Sequence, residues 1–200
     1  MFIVIEGVDA VGKTTACERL AKKVSHELKR AIHSIAFPRY NTQLGCTILA
    51  WLKDGRALEY PLAFQAMMSA DKIDAATMLE VYMQRGSDIV CSRYWQSAHA
   101  YGVPSGSVPP EILADFHKPL PQANYNILLD MPIDEALARR PDKRDAYEKN
   151  PGYLEKVRQE YLNLWTAEHK KSEHWSVVDA SKSADEVFNH IWAEIFLSAI

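Results

Sequence analysis

Apolar residues recur along the chain in two alternating rhythms. Phe2 to Ile5 is an unbroken aromatic and β-branched run, which suits a strand buried on both faces of a parallel sheet. Further on, Ala16, Leu20, Val24 and Leu28 repeat at four-residue spacing and predict one face of a helix. Ser34 to Phe37 predicts a second strand, ended by Pro38 because proline has no N–H for a ladder. Leu44 to Leu52 predicts a helix. Ala57 to Gln84 predicts one long helix rich in Ala, Met and Leu, with Pro61 close to its start. A helix this apolar is either central to the fold or half of a subunit interface.

Asp88 to Cys91, Tyr125 to Leu129 and Trp175 to Val178 predict three more strands, and Ile133 to Arg139, Tyr153 to His169 and Ala184 to Ala199 predict helices. Gly102 to Pro110, rich in Gly, Ser and Pro, reads as a loop. Pro141 to Pro151 is almost wholly polar and charged and reads as a mobile surface segment. Strands alternating with helices give an α/β fold, a parallel five-stranded sheet sandwiched by helices.

At 200 residues and 48% hydrophobic composition, the chain can bury one core, since single cores grow to roughly 250 residues before splitting. One domain over residues 1–200 is expected. The formal net charge of −3 argues against a nucleic-acid backbone or an anionic membrane as main partner. Any phosphate must be captured locally. No apolar stretch approaches the roughly 20 residues of a membrane span, and the first residues lack a signal peptide's basic flank and cleavage site. Cys17, Cys46 and Cys91 are far apart and without a Cys-x-x-Cys spacing. Reduced thiols in the cytoplasm are expected.

The most specific signal lies between the first strand and the first helix. Gly7-Val8-Asp9-Ala10-Val11-Gly12-Lys13-Thr14 satisfies G-x-x-x-x-G-K-[ST] at every fixed position, in the strand-to-helix context that gives the motif its meaning. Its glycines let backbone N–H groups turn inward around phosphates, and the following helix adds its positive end. Gly7, Val11, Gly12, Lys13, Thr14 and Thr15 are expected to hold ATP, with Lys13 on the β- and γ-phosphates and the Thr14 hydroxyl on Mg²⁺. Such a loop does not identify the phosphoryl acceptor.

Other segments bear on the acceptor. Glu6-Gly7-Val8-Asp9, Phe37-Pro38-Arg39-Tyr40, Arg93-Tyr94 with Ser97 and Tyr101, and Val178-Asp179-Ala180-Ser181 occur in that order. Together they resemble the motifs of the thymidylate kinase family of P-loop nucleoside monophosphate kinases, from residue 3 to about residue 191. The resemblance implies phosphoryl transfer from ATP to a deoxynucleoside monophosphate, with dTMP the first choice, in a homodimer. It implies that Asp9 binds the deoxyribose 3′-hydroxyl and that Arg39, after Phe37, and Arg93 hold the acceptor phosphate. Ser97 is then near the base, Tyr101 excludes a 2′-hydroxyl, Ala180 and Ser181 lie beside adenine, and Tyr147 borders the acceptor.

Transfer between two phosphates needs cations that bridge them and a segment that closes over the site. Arg139, Arg140, Lys143 and Arg144 supply positive charge at about 139–150, a short lid. One branch of the family carries a catalytic arginine in the loop where this chain has Ala10. Arg140 and Arg144 are therefore expected to neutralise the transferring group, with Arg139 against adenine; charges that only solvate a loop are the alternative. The chain departs from the pattern at Ser92, where the family has an acid, so metal binding leans on Thr14, ATP and Asp9. By position, Met68 replaces a base-stacking phenylalanine and Lys72 an arginine that reaches the base. The plain alternatives are core packing for Met68 and a solvated helix face for Lys72. Three other activities stay open: a deoxynucleoside kinase, a kinase of another deoxynucleoside monophosphate, and an ATP-binding regulatory protein. The absence of an N-K-x-D tetrapeptide argues against a GTPase.

Overall fold

Phe2–Glu6 forms strand β1, and all of its residues are buried, as the unbroken apolar run requires. The computed structural model describes residues 1–141, 145–170 and 174–196. Ile32–Ala36 is β2, Asp88–Ser92 is β3, Tyr125–Asp130 is β4 and Trp175–Asp179 is β5. They form one sheet in the order β2-β3-β1-β4-β5, and every pairing is parallel. The side chains of β1 alternate between two cores. Phe2 and Val4 pack with Phe37, Leu79 and Tyr94, while Ile3 and Ile5 join the larger core that contains Leu20, Val24 and Trp165.

Helix α1, Lys13–Glu27, buries Ala16, Leu20 and Val24 as the spacing predicts; Leu28 falls at its cap and is exposed. Helix α2 is Gln43–Asp54. The predicted long helix is two, α3 at Arg56–Glu59 and α4 at Pro61–Gln84. Proline disfavours helical geometry in the residue before it, and Tyr60 accordingly leaves the helix at φ −124°, ψ 63°. Helix α5 is Trp95–Gly102. The predicted loop gives way at Pro110 to α6, Pro110–His117, a helix the pattern did not disclose. Helices α7, Ile133–Ala138, α8, Pro151–His169, and α9, Ala184–Phe196, follow expectation to within a few residues. Helix α4 packs on α2, α5, α6 and β3, whereas α9 covers α1 and β5.

The reading of Pro141 to Pro151 as a mobile surface segment is corrected in its described part. Tyr147 and Glu148 are buried, and Asp145 and Glu148 cap each other. The Asp145 carboxylate accepts from Glu148 N at 3.0 Å, and the Glu148 carboxylate accepts from Asp145 N at 2.9 Å.

In a parallel sheet that branches in both directions from one strand, the opening for a ligand lies at the carboxyl ends beside that strand. Here that place is the end of β1, between β3 and β4. The segment after β2 must reach over it, and it is held by close packing on α2. A Cβ on Gly45 would lie 2.0 Å from the Arg39 carbonyl oxygen and 2.9 Å from Tyr40 Cα. Gly45→Ala is expected to cost about 1–3 kcal/mol, the range for overpacking, lowering Tm by roughly 2–12 °C in a chain of this size. A thermal melt with unchanged Tm would show that the segment yields freely.

Candidate active site

The loop after β1 turns where its sequence permits. Gly7 has φ +137° and Gly12 +101°, the left-handed region that glycine enters without a Cβ penalty. A Cβ on Gly7 would also meet the Leu129 carbonyl oxygen at 2.4 Å, so β4 forbids any larger residue. Gly12 caps α1, whose free N–H groups face a cavity of about 1080 Å³. Asp9, Val11, Gly12, Lys13, Thr14 and Thr15 all line it, and so do Phe37, Arg93, Arg139, Arg140 and Ala180.

Lys13 is folded back on the loop and donates to the carbonyls of Gly7 at 3.0 Å and Val8 at 2.5 Å. Burial, and then the Arg93 charge, lower its ammonium pKa to about 7. Gly7 therefore contributes a carbonyl inside the loop rather than a surface on the cavity.

Arg93 follows β3 at once and takes φ +67°, an uncommon conformation for a residue with a Cβ. Its backbone N–H donates to the Ile5 carbonyl at 3.0 Å. Its guanidinium lies over the phosphate loop and donates to Asp9 at 2.6 Å and to the Gly7 carbonyl at 3.1 Å. The Tyr101 hydroxyl donates to the other Asp9 oxygen at 3.0 Å. Burial alone would raise the Asp9 carboxyl, but Arg93 and then Lys13 outweigh it and hold it well below the usual carboxylate range.

Below this pair lies a second cavity of about 60 Å³. Met68, Ser97, Tyr101 and Tyr147 line it. Asp9, Arg93, Tyr40 and Asp145 border both cavities, so the two meet at the Asp9–Arg93 pair. Tyr147 packs edge-on to Tyr101, with centroids 5.2 Å apart, and stacks on Tyr153.

Three predicted contacts are corrected. The Arg39 guanidinium lines neither cavity. It donates to Asp71 at 2.9 Å and Asp74 at 2.5 Å on α4, because two carboxylates one turn apart there attract it. Lys72 is neither solvated nor on a cavity wall. It is fully buried, donates to the Met68 carbonyl at 2.8 Å and lies 5.8 Å from the Phe37 ring centre. Burial lowers its pKa to about 8. Ser181 turns its hydroxyl to Asp179 at 2.5 Å, while its neighbours Ala180 and Lys182 line the cleft. Arg139 donates to the Ala180 carbonyl at 2.8 Å. Arg144 lies outside the described residues.

Several residues around the site leave little trace in the sequence. Tyr40 borders both cavities next to Arg39, the residue the motif drew attention to. Arg19 lines the cleft one and a half turns after Lys13 on α1 and lies 4.6 Å from the Phe188 ring centre; helical spacing from the loop could have found it. Glu6 and Gln65 are buried polar residues within apolar runs, and that mismatch was their only signal.

For a divalent cation, the Thr14 and Ser92 hydroxyls and the Asp9 carboxylate line one cleft. Among the described residues no group of three or more His, Cys, Asp or Glu could hold a metal ion. Asp9 is already engaged by Arg93 and Tyr101. This donor set fits an Mg²⁺ that arrives on nucleotide phosphates and takes Thr14 as a protein ligand.

The chain is 28% identical over 191 residues to the thymidylate kinase of Dictyostelium discoideum, covering 96% of this chain and 82% of that protein. It is 30% identical over 195 residues to a probable thymidylate kinase of Methanocaldococcus jannaschii, with coverage of 96% and 93%. The solved thymidylate kinase of Candida albicans superposes with a TM-score of 0.84 at 22% identity, over 99% of this chain and 92% of that one; it shares the fold. The family model described as thymidylate kinase matches residues 5–191, from β1 into α9. The chain belongs to the thymidylate kinase family.

Proposed function

We propose that this chain transfers the γ-phosphoryl group of ATP to dTMP, giving dTDP, in a single domain whose lid spans about 139–150. The observation that carries the reading is the Asp9–Arg93 pair at the junction of a large phosphate-loop cleft and a small pocket. ATP enters the cleft, dTMP enters the pocket, and the pair stands where the two nucleotides meet. Asp9 takes the deoxyribose 3′-hydroxyl and Arg93 the acceptor phosphate. Lys13 leaves the loop carbonyls for the β- and γ-phosphates. Arg139 lies near adenine beside Ala180, and Arg140 and Arg144 bring charge to the transferring group. Mg²⁺, held by the phosphates and Thr14, would neutralise charge on the donor. Arg39 acts from outside the site. Its backbone N–H and side chain are fixed to Asp71, and this holds Pro38 and Tyr40 over the pocket. The free thiols of Cys17, Cys46 and Cys91 support a reducing, cytoplasmic location, and no described helix is long and apolar enough to cross a membrane.

The test is ATP-dependent phosphorylation of a panel of deoxynucleoside and ribonucleoside monophosphates, with thymidine as a control. Diphosphate should form chiefly from dTMP, and Arg93→Ala should lower that rate by about 10²-fold or more while ATP affinity does not fall, since losing the Arg93 charge only favours the Lys13 ammonium. Equal loss of ATP binding would contradict the role given to Arg93, and no transfer to any monophosphate would sink the reading.

The Lys13 pKa of about 7 makes ATP binding pH-dependent. In the empty protein its folded pKa lies below its unfolded value of 10.5, so the folded state binds fewer protons between pH 7 and 10.5. On this account stability rises with pH across that window. Bound polyphosphate favours the ammonium. ATP binding at pH 8 should therefore take up close to one proton, measured by calorimetry in buffers of different ionisation heat. No uptake would mean that Lys13 is already charged in the empty site.

The outward face of α4 supports a homodimer. Leu62 and Ile73, eleven positions apart and so on one helix face, are 41% and 39% exposed, and Ala66 and Ala70 lie between them. Sedimentation should give a dimer at micromolar concentration, and Ile73→Glu should shift it toward monomer. A wild-type monomer would remove the proposal.

A further inference from the structure

Tyr101, on the wall of the small pocket, is held at both ends. Its hydroxyl donates to an Asp9 oxygen at 3.0 Å and accepts from Arg93 at 3.4 Å. Its carbonyl lies in the last turn of α5, where a helix no longer supplies donors to its own carbonyls. The Tyr153 hydroxyl, from the first turn of α8, donates to that carbonyl. Between the two ties the ring meets Tyr147 edge-on, with centroids 5.2 Å apart, and Tyr161 at 6.4 Å.

Tyr153 itself lines neither cavity. Its place is set by the start of α8, where the Asn150 side chain accepts from Tyr153 N at 3.1 Å, and by its own ring, which stacks on Tyr147 at 5.5 Å. The two helices are tied again further along, through His99 and Glu160 at 2.9 Å and through Ser97 and Tyr161 at 2.9 Å. Those contacts hold the body of α5. The Tyr153 bond reaches the last turn, where Tyr101 sits, and a helix end without such a partner frays.

With Asp9 on the 3′-hydroxyl and Arg93 on the acceptor phosphate, the sugar has one orientation. C3′ has two carbon neighbours in the ring. C4′ leads to the phosphate and so lies toward Arg93; C2′ lies on the other side, toward Tyr101, whose hydroxyl already bonds the second Asp9 oxygen. A 2′-hydroxyl there meets the Tyr101 ring. Rejection by a clash is only as strong as the wall is stiff.

Resting on the dTMP kinase reading, we propose that Tyr153 is a positioning residue for sugar selection. By closing the last turn of α5 on the Tyr101 carbonyl, it keeps the Tyr101 ring in the space a ribose 2′-hydroxyl would need. The preference for a deoxynucleotide then depends on α8, 52 positions along the chain from the side chain that meets the sugar.

The experiment measures kcat/KM for dTMP and for ribothymidine 5′-monophosphate in wild type, Tyr153→Phe, Tyr101→Ala and the double variant. Phenylalanine keeps the ring against Tyr147 and removes only the hydroxyl. In Tyr153→Phe the preference for dTMP should shrink roughly 3- to 10-fold, the worth of one hydrogen bond, chiefly through a gain on the ribose substrate. A ratio taken within one enzyme cancels any loss of folded protein. On the Tyr101→Ala background, where the wall is gone, Tyr153→Phe should leave the ratio unchanged. An unchanged preference in Tyr153→Phe, or the same shift with and without the Tyr101 ring, would overturn the role of Tyr153. So would a wild-type enzyme that uses both sugars equally, although dTMP kinase activity would stand. Inactivity on every monophosphate would overturn the kinase reading and this one with it.

Discussion

The buried carboxylate of Glu6, at the last position of β1, sets the geometry on which both cavities depend. It is fully buried, and a carboxylate removed from water persists only where donors fill its lone pairs. One oxygen accepts from the backbone N–H groups of Tyr94 at 2.6 Å and Ser97 at 3.2 Å. The other accepts from the hydroxyls of Ser97 at 2.7 Å and Tyr161 at 2.9 Å. One side chain thus ties the central strand to the first turn of α5 and to α8. Arg93 lies just before that turn, with its own N–H on Ile5. Its left-handed backbone is over-determined from both sides, and the guanidinium is aimed back across the phosphate loop.

Three charges then share a small volume. Asp9 and Arg93 balance each other, and Lys13 is left with carbonyls for partners. A buried cation satisfied only by dipoles is an incomplete electrostatic arrangement, and a polyanion completes it. The rings of Tyr101 and Tyr147 narrow the path of water to the pair, so each charge interaction there is stronger than it would be in solvent. Binding and preorganisation thus arise from the same arrangement.

Features written into contiguous residues were legible in the sequence. The five strands, most helices and the phosphate loop each follow from a run, a spacing or a motif. Misreadings arose where a distant partner decides. Arg39 looked free to meet a phosphate until α4 supplied Asp71 and Asp74 from more than thirty positions away. Lys72 is expected from sequence to reach the base, with a solvated helix face as the alternative, because nothing nearby in sequence shows that α5 and α6 pack against its helix. Tyr147 stands in a polar stretch, and only its packing on Tyr101 and Tyr153 carries it inward. The split at Tyr60 was local and could have been read from Pro61. Helix α6 was hidden by the prolines that start it.

The strand order also bears on how the chain is made. β1 is complete within the first residues, yet its two neighbours are β3, where Phe2 meets Ile89, and β4, where Ile3 meets Tyr125. At synthesis rates of about 5–20 residues per second, β4 follows by roughly 6 to 24 seconds. Until β3 emerges, about two-thirds of the way through that interval, a strand apolar on both faces has no sheet to join, and such edges readily pair with other chains. The placement that gives β1 its central role at the active site makes the nascent protein a client for whatever shields new chains at the ribosome.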